Sequence, residues 1–214
     1  MIDQKELTAK LHHVILIKGF QTVSMSKLAA AVNVSRASLY LYFKSKDEIV
    51  QAVVARHLQF IAEHPVPRPF APATFLPIWL DSLLLMGSTT ETFTTELKRA
   101  YPALYQQLTG AHRVYFAQLE VYIDQAQQVE FIDPALPADY VLFQAEALVQ
   151  TVLQRVQAHQ LTLDRAETYL VATLHLQLWG LLTPAGWEQI DTTHLESFKA
   201  TILREFRATY ALIA

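Results

Sequence analysis

Residues 20–46 read FQTVSMSKLAAAVNVSRASLYLYFKSK. Ser24 and Ser35 each stand just ahead of a short run with helical spacing, and a serine hydroxyl there can cap the helix that follows. An apolar residue precedes each cap and has a partner one turn into the helix: Val23 with Leu28, and Val34 with Leu39. Between the runs stands Asn33, a residue that tolerates left-handed backbone. The spacing predicts one helix from Ser24 to about Asn33 and another from Ser35 to about Phe43. Two short helices joined by Asn33-Val34-Ser35 have the spacing of a helix-turn-helix.

The flanks extend this reading. Leu7, Leu11, Val14, Ile15 and Leu16 make an apolar stripe on a helix over Gln4–Lys18, and Gly19 stands where a cap with positive φ would end it. Ser45 and Glu48 form a capping box for a fourth helix reaching about His64. Pro65, Pro67, Pro69 and Pro72 then stop any helix and mark a boundary. Beyond it, helical spacing covers Thr74–Met86, Glu91–Arg99, Pro102–Val129, Pro137–His159, Asp164–Leu182 and Asp191–Ala211. There are only five glycines, and none lies in GxGxxG, GxxxxGK[ST] or GxSxG. The expected fold is all-α. A three-helix helix-turn-helix domain (1–50) is joined by the fourth helix (46–64) to a larger helical-bundle regulatory and dimerisation domain (65–214).

Composition sets bounds on function. Of 214 residues 52% are apolar, which excludes intrinsic disorder, and with no cysteine there is no disulfide or thiolate metal site. No stretch reads as a signal peptide or reaches about 18 uninterrupted apolar residues, so a cytoplasmic protein with no membrane partner is expected. The net charge of −3, taken alone, argues against a nucleic-acid partner. Split after His64 it becomes eight basic and five acidic residues (+3), then nine and fifteen (−6). That asymmetry fits a basic reader attached to an acidic body.

The stretch at 20–46 resembles the DNA-binding region of the tetracycline-repressor (TetR) family of bacterial transcription regulators. The resemblance covers about the first 50 residues. It rests on Gly19-Phe20, Thr22-Val23, Leu28-Ala29, Val32-Asn33-Val34-Ser35, Leu39-Tyr40-x-Tyr42-Phe43, Lys44 and Lys46, with Asn33 where the family usually has glycine. In a helix-turn-helix the second helix presents its amino-terminal residues to the major groove. Here those are Ser35, Arg36, Ala37 and Ser38; Arg36 can donate two bonds to guanine, and Ser38 can read either base type. Tyr40, Tyr42 and Lys46 suit phosphates, and Thr22 and Ser24 add hydroxyls beside a helix start. The resemblance implies the same broad roles, and a homodimeric, ligand-responsive regulator of double-stranded DNA, most often a repressor.

The rest of the chain has no comparable motif. Tyr169–Leu182 is apolar almost all round, so 137–182 is expected to form a homodimer interface, or else the centre of a monomeric core. Phe75, Trp79, Met86, Tyr101, Tyr115, Phe116 and Phe143 are candidates to line a pocket for an apolar or aromatic small-molecule effector; ordinary core packing explains the same spacing. His12 and His13 are adjacent, and His57 and His64 lie seven apart, but no carboxylate–histidine pattern joins them, so no metal and no cofactor are expected. Asp47-Glu48 is explained by a helix start, no catalytic triad is visible, and no enzyme activity is expected. A protein-interaction adaptor with a degenerate helix-turn-helix, and a helical enzyme, remain the alternatives.

Overall fold

In the computed structural model, residues 3–193 and 195–212 are described. Among them the fold is all-α, with one isolated antiparallel bridge, Ile132 to Leu182, and no strand. The helices are α1 (Gln4–Lys18), α2 (Met25–Ala31), α3 (Arg36–Tyr42), α4 (Lys46–Glu63), α5 (Pro72–Met86), α6 (Glu91–Ala100), α7 (Pro102–Gln128), α8 (Ala138–Gln157), α9 (Leu163–Leu181), α10 (Pro184–Gln189) and α11 (Leu195–Tyr210). Two departures from the expected helices stand out. Pro184–Gln189 forms a short helix of its own, capped by Thr183 with Pro184 in its first turn. The last helix starts at Leu195 rather than Asp191, and His194 lies outside the described residues.

The chain folds as two compact units. The first takes in the chain up to Glu63, Thr89–Ala111 and the segment from Ala208; the second takes in His64–Ser88 and His112–Arg207. In the first unit α1 packs on α4 and α6, and α2 on α3. Its core is continuous: Leu7, Leu11 and Ile15 of α1 meet Leu28, Leu39, Ile49, Val53, Phe93 and Leu97, all buried. Counted by these units, the first holds ten basic and seven acidic residues and the second seven and thirteen, again +3 and −6. The added segment Thr89–Ala111 is charge-neutral, so it leaves no mark on a charge profile.

The turns are made as their residues require. Gly19 has φ +68° and Asn33 has φ +56°, the latter in the left-handed region that asparagine enters at little cost. Ser24 Oγ accepts from the Lys27 N–H (3.3 Å) and Ser35 Oγ from the Ser38 N–H (3.0 Å). At the α4 start Ser45 Oγ accepts from the Glu48 N–H, and Glu48 reaches back to the N–H of Lys44 (2.7 Å). That is a capping box shifted by one residue on its return arm.

In the second unit α8 packs against α5 and α9. The proline-rich segment between α4 and α5 turns inward: the Phe70 N–H donates to Gln125 Oε1 (3.0 Å), and its ring meets Tyr122 and Phe131. Phe75 stacks on Trp79 (6.0 Å) and meets Phe131 edge-on. Among the described residues no helix is long and apolar enough to cross a membrane.

Candidate nucleic-acid interface

The site is built by α2, the Asn33 corner and α3. Leu39 and Phe43 are sunk in the core of the first unit, which turns the opposite side of α3 outward. That outward face carries Arg36, Ala37, Tyr40 and Leu41, spaced one turn apart in pairs. Arg36 lies over the Tyr40 ring, 5.4 Å from its centroid, so the guanidinium is oriented before any ligand arrives.

The other sequence-read residues fall in distinct places. Ser35 and Ser38 bond to each other, hydroxyl to hydroxyl at 2.8 Å, while Ser35 caps the helix. Ser24 caps α2, and Thr22 is exposed in the preceding loop. Tyr42 is half-buried and packs against the core. Lys46 reaches back to the loop ahead of α2, donating to the carbonyls of Gln21 (3.0 Å) and Val23 (3.2 Å). An ammonium has three donors, so one remains for an anion.

Leu41 was not singled out by sequence. It is 82% exposed, on the outward face of a short helix whose other leucine, Leu39, is buried. Its signal in the sequence is positional. Leu41 sits four residues after Ala37 and two after the buried Leu39, so it cannot join the core.

Residues 12–53 match the family model of bacterial regulatory proteins of the tetR family. The match spans the latter part of α1, then α2, α3 and the start of α4. The chain is 46% identical over 59 residues to YvaF of Bacillus subtilis (strain 168), an uncharacterized HTH-type transcriptional regulator. The alignment spans 28% of this chain and 29% of YvaF. Over most of its length the fold is similar to two solved structures. One is the ketosteroid transcriptional regulator KstR2 of Mycobacterium tuberculosis (TM-score 0.60, 14% identity, 86% of this chain and 97% of that one). The other is a TetR-family regulator from Marinobacter aquaeolei VT8 (TM-score 0.57, 15% identity, 94% and 99%). At such identities the likeness is one of fold.

The matched residues are joined inside their compact unit by α6 and the first turns of α7. Tyr101, read from sequence as a pocket residue, lies here, its hydroxyl donating to Asp47. Burial, then that bond, push the Tyr101 phenol up to about 12, so it stays a donor at neutral pH. His12 and His13 are both buried, and the His12 ring meets His57 edge-on at 4.6 Å. His13 Nδ1 pairs with the Thr209 hydroxyl (2.7 Å). His64 falls in the second unit beside Asp81 (3.1 Å), and His57 in the first. Among the described residues no group of three or more histidines and carboxylates could hold a metal ion.

The remaining pocket candidates belong to the second unit. Phe75, Trp79, Met86 and Tyr115 are buried there, and Phe116 is half-buried with its ring edge-on to Tyr115. The Trp79 indole N–H and the Tyr115 hydroxyl are buried without a hydrogen-bond partner. Burial, with Asp81 nearby, raises the Tyr115 phenol, while burial raises the Asp81 carboxyl and lowers the His112 imidazole. Phe143 stands apart from these, 67% exposed on α8.

Proposed function

We propose that this protein is a homodimeric transcription repressor that binds a palindromic operator through α3 and is released by a small-molecule effector held in the second unit. The observation that carries the reading is the outward face of α3. Arg36 is preoriented on Tyr40, Ala37 allows close approach, and Leu41 offers an apolar contact suited to a thymine methyl. Thr22, Ser24, Ser38, Tyr42 and Lys46 border that face, where hydroxyls and charge meet phosphates.

Dimerisation is supported by the second unit. Tyr140, Phe143 and Ala147 make an exposed stripe on α8, and Ala172, Leu176, Trp179 and Gly180 make one on α9. Leu176 is 66% and Trp179 72% exposed, and a β-carbon on Gly180 would meet only open space. Two packed helices with open apolar stripes are half of a four-helix bundle. Two-fold symmetry then matches recognition helices to major grooves one turn apart, about 34–36 Å.

For the effector, the buried Phe75–Trp79 stack and the buried Tyr115 of the second unit favour an apolar or aromatic molecule with a hydrogen-bonding group, since the Trp79 N–H and the Tyr115 hydroxyl lack a partner. Such a ligand acts by binding one of two conformations better and shifting the dimer away from operator spacing.

The test is selection of duplexes from a random library by the full-length chain. A palindromic consensus is expected. Arg36→Ala then weakens the selected duplex by about 1–3 kcal/mol, and Leu41→Ala relaxes preference at one base pair per half-site. Failure to enrich any duplex would sink the repressor reading and favour the adaptor.

A further inference from the structure

We infer that Glu96 of α6 is a positioning residue for duplex recognition, its carboxylate holding the backbone that leads into α2. This rests on the DNA-binding reading and adds a residue outside the matched domain.

The loop Gly19–Val23 has no regular structure, so its N–H and C=O groups need partners from elsewhere. Glu96 Oε2 accepts from the Phe20 N–H at 2.5 Å and from the Gln21 N–H at 2.9 Å, across about 75 residues of sequence. From the other side the Lys46 ammonium donates to the carbonyls of Gln21 and Val23. The backbone is thus gripped by an acid on its donors and a base on its acceptors. Bonds to a charged group of this kind are roughly twice as strong as neutral ones.

Gly19 completes the fit. A β-carbon there would lie 2.6–2.7 Å from the Glu96 carboxylate, closer than real β-carbons approach any atom. The neighbours of Glu96 in sequence make parallel contacts. Thr90 Oγ1 donates to the Leu16 carbonyl (2.5 Å), and the Tyr101 hydroxyl donates to Asp47 in the first turn of α4. Residues 90–101 therefore tie the end of α1, the loop and the start of α4 by one polar group each. The buried Phe20 ring anchors the loop in the core but does not set the direction of Gln21–Ser24. The Glu96 bonds do, and with them the positions of the Thr22 and Ser24 hydroxyls.

The experiment uses the full-length chain and the duplex it selects from a random library. Glu96→Ala is expected to weaken that duplex about tenfold, with the active fraction unchanged and the slope of affinity against salt unchanged, because Glu96 touches no phosphate. Glu96→Gln keeps an acceptor in place and recovers most of the affinity. Amide exchange of Phe20 and Gln21, read by NMR without DNA, accelerates in Glu96→Ala and much less in Glu96→Gln. Affinity within twofold of the parent, a lower active fraction at unchanged Kd, or unchanged exchange at both amides overturns the inference. A parent chain that selects no duplex overturns the DNA reading on which it stands, and the exchange data separately report whether the carboxylate grips the loop.

Discussion

Single residues bend this chain at two corners for different reasons. Asn33 has φ +56°, and its short amide side chain makes that region tolerable. Gly19 has φ +68° and also the Glu96 carboxylate where a side chain would begin, so it is constrained twice. Gly19, at φ +68° and ψ −172°, holds a conformation almost confined to glycine, so Gly19→Ala is expected to lower stability by about 1–3 kcal/mol and to push the flexible end of Glu96 off the loop amides. Urea unfolding checks this, and an unchanged midpoint would contradict both constraints. The same corner shows what spacing can hide. Lys46 reads as a phosphate ligand from sequence, yet two of its bonds go to backbone carbonyls 23 and 25 residues back.

Helices differ in how far their pattern reveals their partners. For α3 the alternation of buried Leu39 and Phe43 with Arg36, Ala37, Tyr40 and Leu41 divides core from outward face. For α9 the pattern is apolar almost all round and names no partner. One chain covers Leu174 and Leu178 and leaves Leu176 and Trp179 open. If the open stripes of α8 and α9 pair across a two-fold axis, Leu176→Glu converts the dimer to a monomer in sedimentation velocity without unfolding it, since the site is exposed in a single chain. A parent protein that sediments as a monomer at micromolar concentration would remove the basis of the paired bundle. A helix as short as α10 escapes periodicity altogether, and only its cap residues Thr183 and Pro184 announce it.

Over the whole molecule, charge and protonation differ between the units. The first carries +3 and the second −6, so the modest overall charge is an average of two unlike parts. In the second unit, burial lowers the His112 imidazole from its usual 6.5. The unfolded chain then binds more protons than the folded one. The stability it contributes is complete above pH 6.5 and is lost as pH falls through the folded value. Asp81 has the opposite sign, since burial raises its carboxyl from 3.8: its contribution is largest at low pH and is lost as pH rises through the raised value. Thermal melts between pH 7.5 and 5.5 should therefore show a smaller acid loss in His112→Phe than in the parent. An identical loss would place the acid sensitivity elsewhere.

Caps, staples and left-handed corners are local, decided within four or five residues by which backbone groups a side chain can reach. For that reason Ser24, Asn33, Ser35 and the proline break at 65–72 were legible in the sequence, and with them the helical fold and the helix-turn-helix. Leu28 and Leu39, each paired in the sequence with the apolar residue ahead of a cap, are both buried. What the tertiary structure alone decided is long-range. It brought Glu96 to the amides of Phe20 and Gln21, Thr90 to Leu16 and Tyr101 to Asp47, so that Thr89–Ala111 joins the unit of the helix-turn-helix although it follows the proline break. It also left Phe143 outside while burying Phe75, Trp79 and Tyr115. Periodicity says that a helix has an apolar face. The partner of that face is set by packing between segments far apart in the chain, and no local spacing encodes it.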